Sequence, residues 1–274
     1  MTSSAALLTR LETYYDTVPR ATSDVEEHGS LTLFVASEGW PYYARPRLGS
    51  TQESTAADVR AVLARQSELG VPRALEWVQE TTPSLLAAAR EAGMTVEECP
   101  LLVLDGDPVA RAGDPVARAV DVTVRLVPAD DPALGLVRAA INVGFGNGGT
   151  AVDEASVIER DADHGENPAA ARRTASQIEA GRSVLVGAFD SEAGPVGGGS
   201  HNPRGEITEI VGVGVLPAFR RRGIAGALTC ALAADALSRG VTTVFCSAEN
   251  DAVARIYAAV GFRRVGTACI AEAD

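Results

Sequence analysis

One stretch of the chain, residues 209–228, constrains the fold most because it joins a strand, a charged turn and a helix in that order. The apolar alternation ends at residues 215–217, and three consecutive arginines follow. Gly223 then opens a run of small and apolar residues typical of a packed helix. Backbone N–H groups and the helix dipole at such a helix start bind anions. The stretch therefore predicts a site for a phosphate-bearing ligand.

Length and charge limit the remaining possibilities. A chain of 274 residues is long enough for one large domain or two small ones. Its net charge of −12 disfavours nucleic acid and anionic membranes as partners. The sequence contains no lysine, which excludes a Schiff-base lysine. We find no signal peptide and no apolar run of membrane-spanning length, so we expect a cytoplasmic protein.

The four cysteines are far apart and include no C-x-x-C pair. They are Cys99, Cys230, Cys246 and Cys269. Each lies in or beside an apolar run, so we interpret them as buried thiols of a reducing compartment. No cluster of metal-ligand spacing is visible, and we expect no metal.

The chain is expected to contain two domains. An identical seven-residue segment occurs at residues 106–112 and again at 113–119, and its Gly, Asp and Pro favour a linker. We therefore predict one domain over residues 1–105, a linker over 106–120 and a second domain over 121–274. In the first domain, residues 22–29 read as a polar loop, and Thr55 with Asp58 predicts a capped helix start.

The two predicted domains share an order of elements. Residues 56–104 and residues 224–271 both read helix, glycine, strand, helix, glycine, strand. The first domain is thus predicted to be a truncated copy of the second. Where the second has arginines and Gly223, the copy has residues 52–55, whose helix start is capped by a side chain. We expect the copy not to hold the ligand.

The turn resembles motif A of the GNAT acetyltransferase superfamily, V-x-P-x-x-Q/R-x-x-G-x-G/A. Arg220, Gly223 and Ala225 fill its three specifying positions. Residues 249–262 look like motif B of the same superfamily, N-x-x-A-x-x-x-Y-x-x-x-G-F. Asn250, Tyr257 and the pair Gly261-Phe262 match it, while Val253 stands at its alanine.

The resemblance implies a GNAT fold of the α/β (α+β) class, in which a mixed, mostly antiparallel central sheet is flanked by helices. It also implies acetyl-CoA as co-substrate, bound where the strand at Gly214 splays from its neighbour. Val213 and Val215 would pair with the pantetheine arm, and Asn250 would hydrogen-bond the arm or a water. The cofactor-binding residues expected from the motifs are Val213, Gly214, Val215, Arg220, Arg221, Arg222, Gly223, Ile224, Ala225, Gly226, Asn250 and Tyr257.

Two residues are expected to move protons in the implied reaction. Tyr257 would protonate the leaving thiolate; a core tyrosine is the alternative. Glu209, six residues before Val215, occupies the place of a strand carboxylate that serves as base in many family members. Glu206, His164 and His201 are rival bases.

The sequence thus predicts an N-acetyltransferase that transfers an acetyl group from acetyl-CoA directly to a primary amine of a small molecule or peptide. The alternative is an acyl-CoA-binding sensor or assembly module without turnover. The prediction leaves homodimer formation open. Residues 144–182 and the interdomain face are expected to select the acceptor, and the acidic loop at residues 161–166 would favour a cationic amine.

Overall fold

The computed structural model describes residues 4–36, 43–108 and 122–273. Within these ranges the chain forms eight helices and eleven strands. The helices are α1 (Ser4–Arg20), α2 (Ala56–Leu69), α3 (Ser84–Glu91), α4 (Leu134–Gly146), α5 (Val157–Glu166), α6 (Pro168–Glu179), α7 (Ile224–Ser238) and α8 (Asp251–Val260). The strands are β1 (Ser23–His28), β2 (Leu31–Ala36), β3 (Ala44–Pro46), β4 (Ala74–Val78), β5 (Thr95–Leu104), β6 (Val122–Leu126), β7 (Val184–Asp190), β8 (Gly194–Arg204), β9 (Ile207–Val215), β10 (Thr243–Ser247) and β11 (Phe262–Glu272).

The chain divides into two compact units. Unit 1 contains Met1–Leu101 together with Val265–Asp274, and unit 2 contains Leu102–Arg264. The end of β11 therefore packs with the first unit, which the boundaries drawn from the sequence do not include. Most of the expected linker, residues 109–120, lies outside the described residues, and the predicted domain boundaries stay a prediction.

Unit 1 is a sheet in the order β1-β2-β3-β4-β11-β5, with β3 and β4 parallel and the pairs β1–β2, β2–β3 and β4–β11 antiparallel. Apolar residues of α2 and α3, including Val59 and Leu85, form its core with Trp77. The predicted capping box is confirmed: the Thr55 side chain accepts from the Asp58 N–H, and the Asp58 carboxylate accepts from the Thr55 N–H.

Two sequence-based expectations about loops are wrong. Residues 23–28 form strand β1, which pairs with β2 across a hairpin at Gly29, rather than a polar loop. The strand has no apolar alternation because it lies at the sheet edge, where half of its residues are exposed and the rest are only half-buried. The acidic residues 161–166 belong to helix α5, whose start is capped by Ser156 and Glu159.

Unit 2 is a sheet in the order β10-β9-β8-β7-β6. Only β9 and β10 are parallel among the paired strands described in this unit; the other neighbours are antiparallel. Leu228 and Leu232 of α7 pack into its main core, and Val137 and Ile141 of α4 pack into a second cluster. The mixed, mostly antiparallel sheet flanked by helices confirms the predicted fold class.

The order α2-β4-α3-β5 in unit 1 repeats as α7-β10-α8-β11. The first helix of each set is followed by a glycine with positive φ, 66° at Gly70 and 84° at Gly240. This agreement is consistent with an internal copy, and the copy itself stays a prediction.

Candidate active site

Strands β9 and β10 part within unit 2. Their parallel ladder runs through Thr243–Ile207 and Val244–Thr208 and ends at the pair Phe245–Glu209. The parting therefore begins earlier in β9 than Gly214, where the sequence led us to expect it. The other edge of β9 carries a bulge, because its pairing with β8 shifts register between Gly198–Gly214 and Ser200–Val211. Gly212, inside that bulge, has a φ of 65° that a side chain would strain.

The parted strands border a slot of about 590 Å³. Its walls come from the second half of β9, the turn before α7, the first turns of α7, the helix α8 and a loop after α4. The predicted residues that line it are Val213, Gly214, Val215, Arg220, Arg221, Gly223, Ile224, Ala225, Gly226 and Tyr257. Glu209, Arg222 and Asn250 are described residues that are not part of this lining.

The turn before α7 leaves backbone donors open. A single 3-10 turn, Pro217–Phe219, follows β9, and α7 begins after Gly223, whose φ is 80°. No side chain of the described residues caps the N-terminus of α7, and its first turn contains no acidic residue. Arg221 also adopts a left-handed φ of 64°, a conformation that costs energy in a residue with a Cβ. The turn thus offers N–H groups and a positive helix end to an anion.

The three arginines of the turn point to different places. Arg221 is exposed and lines the slot. Arg222 forms an ion pair with Asp190, 3.3 Å between Nη2 and Oδ2, and lies over the Phe219 ring. The Arg220 guanidinium donates to backbone carbonyl groups, including the 2.8 Å bond from Nη2 to Gly144 O. Of the three, Arg221 is placed to add charge at the turn.

Tyr257 forms part of the buried side of the slot. Its side chain is buried and packs edge-on against Phe262, with ring centroids 5.9 Å apart. Burial, with contributions from Cys246 and Glu209, raises the pKa of the Tyr257 phenol far above its usual value. The phenol therefore stays protonated across the physiological range, as a proton donor requires.

Glu209 and Asn250 lie beside the slot and are not part of its lining. Glu209 is partly exposed on β9, directly before the lining residue Ile210, and is close enough to act electrostatically on Cys246 and Tyr257. Asn250 is the N-cap of α8: its Oδ1 accepts from the N–H groups of Ala252 (2.9 Å) and Val253 (3.1 Å). That acceptor atom is already used by the helix.

None of the three rival bases is among the described residues that line the slot. Glu206 is exposed in the turn before β9. His164 is exposed on α5 and packs against Gly135. His201 is fully buried, with Nδ1 3.1 Å from Thr208 Oγ1 and Nε2 2.9 Å from Asp235 Oδ2. Burial lowers the pKa of His201, although the Asp235 carboxylate acts in the opposite direction.

The end of α4 and the loop after it form a wall of the slot, whereas from the sequence we expected residues 144–182 only to select the acceptor. Gly144, Phe145, Gly148, Gly149 and Thr150 all line the slot. A Cβ on Gly144 would lie 2.8 Å from the Val215 nitrogen, so the helix end and the strand meet backbone to backbone. The density of glycines there was the available signal, because close backbone approach requires residues without a Cβ.

The described ranges contain no group of three His, Cys, Asp or Glu side chains arranged to hold a metal ion. Within the same ranges no helix is both long and apolar enough to cross a membrane.

Comparison with known proteins matches part of the chain to one family. Residues 136–262 match the family described as "Acetyltransferase (GNAT) family". No match was found among curated proteins.

Several solved structures share the fold. A GCN5-related N-acetyltransferase from Kribbella flavida superposes with a TM-score of 0.69 at 19% identity, over 97% of this chain and 95% of that chain. A GCN5-related N-acetyltransferase-like protein from Streptococcus suis gives 0.56 at 13%, over 98% and 99%. A tandem GNAT protein from the clavulanic acid biosynthesis pathway gives 0.53 at 15%, over 89% and 78%.

Proposed function

We propose that the protein transfers an acetyl group from acetyl-CoA directly to a primary amine of a small molecule or peptide. The premise is that residues 136–262 match the GNAT acetyltransferase family. The observation that carries the proposal is the slot between β9 and β10, which runs beside an uncapped helix start. A thioester arm fits the slot, and a pyrophosphate fits the open N–H groups.

The backbone of β9 would hold the pantetheine arm. Val213, Gly214 and Val215 line the slot where β10 has left the ladder, so the edge of β9 faces the slot instead of a neighbouring strand. An extended arm with amide groups can pair with such an edge as an added strand does. The turn from Arg221 to Gly226 would bind the pyrophosphate through N–H groups, and Arg221 would add charge.

The roles of the side chains follow from burial and protonation. Acetyl-CoA supplies the acetyl group as an activated thioester. Tyr257, whose phenol is buried and protonated, would donate a proton to the thiolate that leaves. Glu209 would take the proton from the attacking amine through water, since it lies beside the lining of the slot rather than in it. Its position one residue before Ile210 supports this assignment.

The N-cap bonds of Asn250 narrow its proposed role. Its Oδ1 stabilises the start of α8, so a contact to the arm would have to come from Nδ2. Arg222 is likewise committed to Asp190 in this structure and would contribute through long-range charge.

The compartment, the partners and the oligomeric state of the protein are also proposals. We place the enzyme in the cytoplasm, which agrees with the buried thiols of Cys99, Cys246 and Cys269. The acidic charge supports an acceptor that is neither nucleic acid nor a membrane component. Homodimer formation stays open to a measurement of mass in solution.

Acetyl-CoA turnover tests the proposal most directly. The release of free thiol would be measured with polyamines, amino acids, aminoglycosides and peptide N-termini as acceptors, and each product would be identified by a mass increase of one acetyl group. Thiol release that depends on an amine supports the proposal. Tight binding of acetyl-CoA with no acetylated amine across the panel would favour the sensor alternative.

A further inference from the structure

We infer that Arg220 is a positioning residue and not a ligand of the cofactor phosphates. It holds residues 144–151, the end of α4 and the loop after it, against the slot; we call this segment the glycine strap. The inference rests on the proposed function, because it concerns the same slot. It departs from the sequence-based expectation that all three arginines of the turn bind the cofactor.

The contacts of Arg220 carry the inference. A guanidinium has five N–H groups in a planar fork. All five contacts of the Arg220 guanidinium go to backbone carbonyl oxygens, and none goes to a side chain of the described residues. The acceptors are Gly144 (2.8 Å) and Asn147 (2.5 Å) for Nη2, Gly148 (3.3 Å) and Ala151 (3.2 Å) for Nη1, and Val215 (3.3 Å) for Nε.

These bonds join two parts of the chain that are distant in sequence. Four of the acceptors belong to the glycine strap, and the fifth ends strand β9. Arg220 thus ties the strap to the strand end that borders the slot. A phosphate could recruit this guanidinium only by displacing the carbonyls, because its donors already have partners.

The strap has a second anchor after β10. The Glu249 carboxylate accepts from the Gly149 N–H at 3.4 Å, and Glu249 lines the slot. Glu249 follows β10, whereas Val215 ends β9, so the strap is attached on both sides of the parted strands. Asn147 also joins the strap to α4 by donating from Nδ2 to Val143 O at 2.9 Å.

The chemistry of the strap indicates what it contacts. It lines the slot with glycine backbone, Thr150 and the ring of Phe145, which is 59% exposed. None of these groups is charged, so the strap suits the uncharged part of whatever fills the slot. Loosening the strap should therefore weaken arm and acceptor binding without changing how the turn recognises phosphate.

A pair of matched variants distinguishes anchoring of the strap from binding of the phosphates. Arg220→Met and Arg221→Met each remove one positive charge from the same turn and keep a similar side-chain length. The dissociation constants of CoA and of pantetheine, which lacks the pyrophosphate, are measured for both variants by competition calorimetry. The ratio of the two constants reports recognition of the phosphates alone.

The inference expects the two variants to behave differently. Arg220→Met should weaken CoA and pantetheine by the same factor, about 10-fold, and leave their ratio within about twofold of wild type. Arg221→Met should lower the preference for CoA instead. An Arg220→Met variant that loses the preference for CoA while pantetheine binding persists would overturn the inference.

Two further measurements keep the test independent of turnover and of folding. Amide hydrogen exchange of residues 144–151 should be faster in Arg220→Met without any ligand, and unchanged protection would refute the anchoring role. Arg220→Lys restores the charge but not the planar fork, so it should resemble Arg220→Met; recovery of CoA binding in this variant would contradict the inference. If Arg220→Met does not fold, Glu249→Ala releases the second anchor and should accelerate the same amides.

The kinetic result separates this inference from the proposed function. If wild type acetylates no amine, the proposed function fails, yet exchange and binding still decide the role of Arg220. If wild type does turn over, Arg220→Met should lower kcat and raise the KM for the amine together, measured well below the melting temperature of the variant. Unaltered kinetic constants would overturn the positioning role and leave the proposed function intact.

Discussion

The helix starts of α2 and α7 occupy matching places in the repeated order of elements and have opposite chemistry. Before α2, Thr55 is extended, and its side chain accepts from the Asp58 N–H at 3.2 Å. Asp58 in turn accepts from the N–H of Thr55. Before α7, Gly223 is left-handed, and no described side chain caps the helix. One helix start is satisfied from within the chain, and the other is left for a ligand.

The two helix starts differ in the source of the negative charge that lies at the positive helix end. Burial opposes ionisation of Asp58, but hydrogen bonds from Thr55 and Ser30 lower the pKa of its carboxyl below the usual value. The α2 start therefore carries its own anion, which is favourable at the positive helix end. The first turn of α7 contains no acidic residue. An internal carboxylate in unit 1 thus stands where we propose a bound pyrophosphate in unit 2.

The largest effect on acetyl-CoA binding is expected from a variant that makes the turn before α7 resemble the turn before α2. Gly223→Asp places a side chain at a φ of 80° and a negative charge at the open N–H groups. Left-handed strain lowers the free energy of unfolding by about 1–2 kcal/mol, whereas the loss of charged hydrogen bonds weakens binding by about 1.5–3 kcal/mol. Acetyl-CoA affinity measured by calorimetry should fall about 100-fold.

A second left-handed glycine provides the control for that variant. Gly240, with a φ of 84°, follows α7 and has no atom within 4 Å of its Cβ position. Gly240→Asp should lower the melting temperature comparably and leave acetyl-CoA binding intact. Undiminished affinity in Gly223→Asp would mean that the anion site is misplaced.

Removal of the Tyr257 hydroxyl should act on turnover rather than on binding. Tyr257→Phe is expected to lower kcat about 1,000-fold, within the usual range for general acid catalysis. Because the pKa of Tyr257 is raised, wild type should show no alkaline loss of activity from this group up to about pH 10. Tyr15→Phe, at a buried tyrosine of unit 1, is the control. A variant with full kcat would make Tyr257 a core residue only.

Replacement of Glu209 should have a smaller and pH-dependent effect. Glu209→Gln is expected to lower kcat/KM about 100-fold at neutral pH. The loss should shrink as pH rises, since more of the amine is already neutral in solution. Rate profiles between neutral and alkaline pH for wild type and variant measure this convergence. Parallel profiles would assign the base to another group, and Glu206→Gln serves as the comparison variant.

The smallest effect is expected in unit 1. Thr55→Ala removes the side-chain cap of α2 and should lower the free energy of unfolding by about 1 kcal/mol. Acetyl-CoA binding should be unchanged, because the Asp58 carboxylate still occupies the helix start. Denaturant unfolding and calorimetry measure the two quantities. A gain of CoA binding in this variant would break the contrast between the two helix starts.

Local patterns predicted the elements well where the determinants are local. The capping box of α2 follows from Thr55 and Asp58 alone, and α7 begins directly after Gly223, as the run of small and apolar residues there predicted. Strand β1 was missed because it is held by pairing with β2, which a polar sequence does not reveal.

The candidate site was predictable in its backbone more than in its side chains. A glycine before a helix indicates an open turn, and most predicted residues do line the slot. The destination of a long side chain depends on what folds against it, so three adjacent arginines with equal charge could not be told apart. The cap at Asn250 was readable, since an Asn directly before a helix favours that role.

The contact between α4 and β9 limits how this enzyme could be redesigned. A Cβ on Gly214 would lie 2.8 Å from the Ile141 carbonyl oxygen, and a Cβ on Gly144 would lie 2.8 Å from the Val215 nitrogen. Random libraries that include these two positions would mostly yield inactive clones, whatever amine they are screened against. Saturation at Phe145 and Thr150, which line the slot without such crowding of the backbone, offers the productive positions for directed evolution of acceptor range.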